Sequence, residues 1–303
     1  MERLVWTSPT IETLRNFQTL PFKGSDTSWV NIFLLRRKYK IEIAVHDDIL
    51  FRYYHGKGQN RQGYGFPLSG KILDTEKAFR ILRQDAAYRG GIKFCLCDEG
   101  QKAILSNFFD IEWQSDQGDD DYIYESEKWR DFAGRKYHHL KSRVNLFNRL
   151  YPKASYFPID NAGRLQDALQ VAHIWQEEHE KKEIPAEVLD EELHCITEAG
   201  KYWQELGMTG GVLYVDKSPV AATMASFLST DCIDFHFDKA VGQYALAGAT
   251  VVSRRHFAAS NIAQGRQYFN LEEDVNNPGL RQSKETWRPV CKLSKFYGGE
   301  SLC

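Results

Sequence analysis

A chain of 303 residues has the length of two ordinary domains, and its 42% hydrophobic and 13% aromatic content excludes a disordered polymer. Thirty-nine Lys and Arg against forty-one Asp and Glu give a net charge of −2, which excludes a general attraction for nucleic acid or acidic membrane; any polyanion needs a local cationic cluster. The longest apolar runs, such as NIFLL at 31–35, fall far short of the ~20 residues of a membrane-spanning helix, and MERLVWTSPTIETLRNF carries charge where a signal peptide would be apolar, so a soluble cytoplasmic chain is expected.

In chain order, PTIETLRNFQTL predicts a short helix capped by Thr or Ser, EIAVHDDILFRYYHG two strands joined by Asp47-Asp48, and YGFPLS a third short strand. In DTEKAFRILRQDAAYRG, Ala78, Phe79, Leu82 and Ala86 recur at helical spacing behind an Asp74 cap, and Gly90-Gly91 stops the helix. IKFCLC returns to strand, with Cys95 and Cys97 on one face as small packing residues. Helix, antiparallel strands, helix, strand is an α+β order. The cysteines, Cys95, Cys97, Cys195, Cys232, Cys291 and Cys303, lack CxxC spacing and fit free thiols in a reducing compartment.

The acidic loop SDQGDDD (115–121) marks a boundary. The next segment begins as the strand DYIY and becomes one long helix with the apolar stripe Trp129, Phe132, Ala133, Tyr137, Leu140, Val144, Phe147 and Tyr151, ended by Pro152. Arg135, Lys136, His138, Lys141, Arg143 and Arg149 lie mostly off that stripe. KASYFPI is a strand, GRLQDALQVAHIWQEEHEKK and PAEVLDEELHCITEAGKYWQEL are helices, and GGVLYVDKSPVAATMASFLSTDCIDFHFDKA gives three consecutive strands with Asp-Lys-Ser-Pro and Ser-Thr-Asp turns. GQYALAGATVVSRRHFAAS is a helix, RQYFNLE a strand, GLRQSKETW a short helix and RPVCKLSKFYG a final strand. The expected organisation is an N-terminal domain 1–120, a linking strand and basic helix 121–152, and a C-terminal domain 153–303 that carries the active site.

Four stretches carry a family resemblance: SDTSWVNIFLLRRKY (25–39), DYIY with GRKYHHLKSRVNLF (121–147), DFHFDKA (234–240) and NLEEDVNNPGLRQSK (270–284). The chain resembles soluble bacterial proteins related to the C-terminal domain of phosphatidylglycerol lysyltransferase. Leu140, Ser142, Asp238 and Asn276 depart from that family's pattern. The resemblance implies two tandem acyltransferase domains of the GCN5-related N-acetyltransferase kind, each a mixed, mostly antiparallel sheet flanked by helices. It also implies transfer of an aminoacyl group from aminoacyl-tRNA, or an acyl group from acyl-CoA, to an amine or hydroxyl on a small molecule, peptide or lipid headgroup. No tightly bound cofactor is implied.

Two constellations carry the chemistry. On an alternating strand Asp234, His236 and Asp238 share a face, and His236 or Asp238 is a candidate general base. If RQYFNLE continues as strand, Asn270, Glu272 and Asp274 share a face, Pro278-Gly279 suits a type II turn, and Arg281 and Lys284 lie on one side of the following helix. Glu272 and Asp274 are then catalytic candidates, and Arg281 and Lys284, with Lys239, Gly242, Gln243 and Tyr244, candidate donor or phosphate ligands. An internal salt-bridge network and a solvated strand face are the plainer alternatives. AVGQYALAGA lacks the glycine spacing of a pyrophosphate-cradling loop; because the relatives that take an aminoacyl group from tRNA lack it as well, the resemblance then implies an aminoacyl donor or a lost activity. The cations of the basic helix, Arg135, Lys136, His138, Lys141 and Arg143, are candidates for a tRNA backbone, against the alternative of a solvated face. His138, His139, His173, His179 and His194 show no HExxH spacing, so no metal site is expected. A non-catalytic small-ligand or RNA-binding protein on the same duplicated fold is the competing reading.

Overall fold

The computed structural model describes residues 3–17, 24–180, 185–262 and 265–300. Its elements in chain order begin with helices α1 (Ile11–Leu14) and α2 (Trp29–Leu35) and strands β1 (Glu42–His46), β2 (Ile49–His55), β3 (Gln62–Tyr64) and β4 (Leu68–Ser69). Next come α3 (Thr75–Arg89), β5 (Lys93–Cys97), α4 (Glu99–Ser106), β6 (Ile111–Ser115), β7 (Asp121–Glu125), α5 (Ser126–Asp131), α6 (His138–Leu150) and β8 (Ser155–Pro158). Helices α7 (Ala162–Glu180) and α8 (Ala186–Lys201) precede β9 (Met208–Val215), β10 (Ser218–Phe227) and β11 (Cys232–Ala240). The chain continues through α9 (Gly242–Ala247), α10 (Ala249–Ile262), β12 (Tyr268–Asn270), α11 (Pro278–Thr286), β13 (Cys291–Leu293) and β14 (Phe296–Glu300).

Contacts divide the chain into two compact units: Met1–Tyr122 with Glu272–Gln282 and Cys291–Cys303, and Ile123–Leu271 with Ser283–Val290. In the first, the strand order is β1-β2-β3-β5-β14-β6, with β4 paired to β2. Its core packs Phe51, Tyr64, Phe66 and Phe94 of the strands and loops against Phe79 and Leu82 of α3 and Leu105 of α4. In the second, the order is β7-β12-β11-β10-β9-β8, and Trp129 of α5 meets Phe235 of β11 and Phe269 of β12, with ring centres 5.6 and 5.2 Å apart. The pairs β3–β5 and β11–β12 are parallel, whereas β1–β2, β2–β3, β5–β14, β6–β14, β7–β12, β8–β9, β9–β10 and β10–β11 are antiparallel.

Local chemistry accounts for most boundaries. Asp74 caps α3 by accepting the Lys77 N–H, and Gly90, at a left-handed φ of 80°, ends it. The capping box Asp98–Gln101 opens α4, a helix the apolar pattern alone did not reveal. Four expected elements are broken instead. The third strand of the first sheet divides at Pro67 into β3 and β4. The long basic helix divides into α5 and α6, because Phe132 (φ 46°) and Gly134 (φ 92°) turn the chain. Gly248, φ 112°, separates α9 from α10. The final strand is two, and β14 pairs with β5 and β6 in the first unit's sheet.

Candidate active site

Strand β11 pairs with β10 along its length but with β12 over only three residues, Cys232↔Tyr268 to Asp234↔Asn270. From Phe235 onward the parallel strands part, so one side of the β11 backbone has no ladder among the described strands. An opening of this kind lets a substrate lie against main-chain donors.

Strict alternation would put Asp234, His236 and Asp238 on one face, and a bulge prevents it. Ala225 faces Phe235 and Met224 faces Phe237, which makes His236 an extra residue and reverses the parity beyond it. His236 stays on the Asp234 face, with Nε2 2.8 Å from Ser226 Oγ. A carboxylate oxygen of Asp234 and a ring nitrogen of His236 lie within 4.8 Å of one another. Asp238 crosses to the face under α10, where it accepts from Thr223 Oγ1 at 2.9 Å and pairs with Arg254. Lys239 takes the opposite face, 2.7 Å from Glu192 and 3.5 Å from the centre of the Trp175 ring. A carboxylate held by a buried guanidinium is an anchor rather than a proton acceptor, so of the two foreseen bases His236 has the suitable surroundings.

At the turn after β11, Gly242 (φ 53°) opens α9 and donates its N–H to the Glu178 carboxylate at 3.1 Å. Gln243 is exposed, and the Tyr244 ring packs 5.0 Å from that of Tyr151. Glu178, Ser226 and Arg254 went unremarked in the sequence because their partners lie 10 to 64 positions away.

The segment after β12 is irregular, which corrects the expected alternation of Asn270, Glu272 and Asp274. The strand ends at Asn270, and Glu272, Val275 and Asn276 adopt left-handed φ of 56°, 47° and 60°. Pro278-Gly279 is not a type II turn. Pro278 is the first residue of α11, and Asn277 Oδ1 accepts the N–H groups of Gly279 and Leu280 at 2.9 and 3.0 Å, a proline-led start with an Asn cap. Buried Asp274 receives Tyr122 Oη at 2.6 Å, Arg281 through two nitrogens at 2.7 and 2.9 Å, and the Asn276 N–H at 2.9 Å. Burial pushes the Asp274 carboxyl up, but the hydrogen bonds from Arg281, Tyr122 and Asn276 outweigh it and hold the group below the usual range. Arg281 and Lys284 do not act as a pair: Arg281 engages Asp274 and Asn276, whereas Lys284 is buried and donates to the Leu271 carbonyl.

Of the basic residues, Arg135, Lys136, His138 and Lys141 are exposed while Tyr137, Leu140, Val144 and Phe147 are buried. Arg143 instead caps a neighbouring helix, its guanidinium donating to the carbonyls of Leu246 and Ala245 at the end of α9.

Two mixed sheets flanked by helices, each with a parallel pair that parts after one to three residues, define an acyltransferase-like fold of the GCN5-related N-acetyltransferase type. The chain belongs to the family described as phosphatidylglycerol lysyltransferase, C-terminal, which it matches over residues 17–297. A conserved protein of unknown function from Bacteroides thetaiotaomicron is 24% identical, covering 98% of this chain and 100% of its own, with a TM-score of 0.86. L-PGS from Bacillus licheniformis is 14% identical (97% and 92% covered, TM-score 0.64), and FemX 8% (97% and 97%, TM-score 0.58). No curated protein matches the sequence. No helix among the described residues is long and apolar enough to cross a membrane.

Proposed function

We propose that this acyltransferase-like protein transfers an aminoacyl group from aminoacyl-tRNA to an amine or hydroxyl acceptor, at the opening between β11 and β12. The observation that carries the choice of donor is the Glu178–Gly242 hydrogen bond. The turn N–H that an anionic pyrophosphate would use is taken by a carboxylate, which repels a CoA thioester electrostatically and is neutral or favourable toward the ammonium of an aminoacyl group. The family's name, phosphatidylglycerol lysyltransferase, supports the same donor and makes a lipid headgroup the first acceptor to try.

In this reaction the acceptor attacks the ester carbonyl while the His236 imidazole takes its proton. The ester C–O bond then breaks, and the ribose hydroxyl leaves carrying a proton. Main-chain N–H groups of β11 beyond Asp234 face the developing oxyanion. Exposed Arg135, Lys136, His138 and Lys141 meet the tRNA phosphates. The test is transfer of labelled amino acid from charged tRNA to a panel of acceptors that includes phosphatidylglycerol. The expected result is turnover that falls on the order of 10²–10⁴-fold in His236→Ala. Turnover with acyl-CoA in place of tRNA overturns the donor assignment. Ligand binding without turnover of either donor leaves the non-catalytic binding protein as the reading.

A further inference from the structure

The first unit contains a buried ionic cluster that the transfer chemistry does not use. Lys295 contacts Asp26, lies 2.6 Å from Asp121 Oδ1 and 3.9 Å from Glu273 Oε2, and donates to Ser25 Oγ at 3.2 Å. Arg61 lies 2.6 Å from Asp119, 3.1 Å from Glu273 and 4.0 Å from Asp26. Every one of these six charged side chains is at most 9% exposed. Arg61 and Lys295 are the cations that pair with these four carboxylates, while nearby buried Arg52 is turned to main-chain carbonyls, and burying an undercompensated carboxylate is far costlier than burying its neutral acid.

The surroundings point to Asp26 as the residue that resolves the imbalance. It faces Lys295, Asp121, Arg61 and Glu273, each from a different part of the chain. From β2, Arg52 bonds its main-chain carbonyl rather than its carboxylate. The remaining neighbours supply no further cation for it: Tyr54 of β2 and Cys95 and Cys97 of β5 are buried, and burial pushes all three up and keeps them neutral. Tyr39 lies 5.0 Å under Arg61, and Lys38 acts on Tyr39 and Glu273. Asp121 has better satisfaction, from the Ser25 N–H at 2.7 Å and Ser25 Oγ at 2.9 Å.

We propose that this cluster is a proton-operated latch: between neutral and mildly acid pH one proton joins it on Asp26, which frees Lys295 to engage Glu273 and draws the segment Glu272–Gln282 more firmly onto the rest of its own unit, the first. Desolvation raises the Asp26 carboxyl from 3.8 to about 6, with Lys295 and Arg61 opposing and Asp121 and Glu273 assisting. A carboxyl raised on folding contributes stability that is complete below pH 3.8 and is lost as pH rises through about 6. His256, lowered by burial and Arg255, works in the opposite sense and is common to every variant compared.

The experiment measures thermal unfolding of the full chain from pH 4.5 to 7.5 for the wild type and Asp26→Asn, with carboxyl ¹³C titration of the wild type and amide exchange over Glu272–Asn276. The expected result is a Tm advantage of wild type over Asp26→Asn that shrinks as pH rises through about 6, one Asp carboxyl titrating near that pH, and slower intrinsic-rate-corrected exchange of the segment at the acid end. The proposal is overturned if every Asp and Glu carboxyl titrates below pH 5, if the Tm difference is independent of pH, or if exchange of the segment is unchanged. If Asp26→Asn does not fold, the wild-type titration and exchange decide alone.

Discussion

Asp238 tests most sharply whether the strand-borne carboxylates are chemical or architectural. Its side chain and that of Arg254 are 9% and 12% exposed, and the guanidinium also lies 4.4 Å from the Trp287 ring and 5.3 Å from the Trp129 ring. Asp238→Ala therefore strands a nearly buried cation whose Nη1 already lacks a hydrogen-bond partner. Removing one partner of such a pair costs about 3–5 kcal/mol. For a unit of this size that is roughly 6–20 °C in Tm, at ~2–4 °C per kcal/mol. Replacing both ions in Asp238→Ala/Arg254→Met removes the stranded charge while an apolar stem still packs on the two indoles, so most of the loss should be recovered. Urea unfolding of wild type, both single variants and the double variant closes the cycle. A loss below about 1 kcal/mol in Asp238→Ala, or a double variant as unstable as the sum of the singles, refutes the anchoring argument. With activity in hand, a stable double variant that has lost all turnover returns Asp238 to the reacting groups.

Two further outcomes follow from geometry. A Cβ at Gly211 would meet Tyr156 Oη at 1.9 Å and Cζ at 2.2 Å, so Gly211→Ala must displace a ring that stacks on His256; a loss of about 1–3 kcal/mol in chemical denaturation is expected, and wild-type stability would show that the ring moves freely. Asp274, whose carboxyl is held low, contributes stability that is present above pH 3.8 and is lost as pH falls below it. Acid unfolding followed in Asp274→Asn should lack that component, and an acid limb identical to the wild type's would count against it.

Much of the architecture was legible in local pattern. The three-strand run 208–240 was readable because its turns are polar and its strands apolar, and α3 because Asp74 and Gly90 bracket a regular stripe. The opening of β11 against β12, by contrast, depends on how far two strands 36 positions apart stay paired. The Asp119–Asp120–Asp121 run reads as part of an acidic boundary loop, yet Asp119 and Asp121 are buried, because their cations, Arg61 and Lys295, come from positions 58 and 174 residues away. Arg61 and Lys295 carry no local signature, and Asp26, although within the 25–39 stretch, shows none of its ionic role.

The linear order of residues by itself determined the class of elements, the family and the small set of charged stretches from which any site must be drawn, since periodicity, caps and motifs are encoded within a turn or two of chain. Only the tertiary structure decided which of those charges are spent on one another. A one-residue bulge at His236 sent Asp238 to Arg254 and left the imidazole beside Ser226, and the left-handed residues after Asn270 broke the expected row and gave Asp274 to Arg281. Side-chain direction in a strand reverses with a single inserted residue, and ion pairing reaches across any sequence distance, so neither is fixed until the chain is folded.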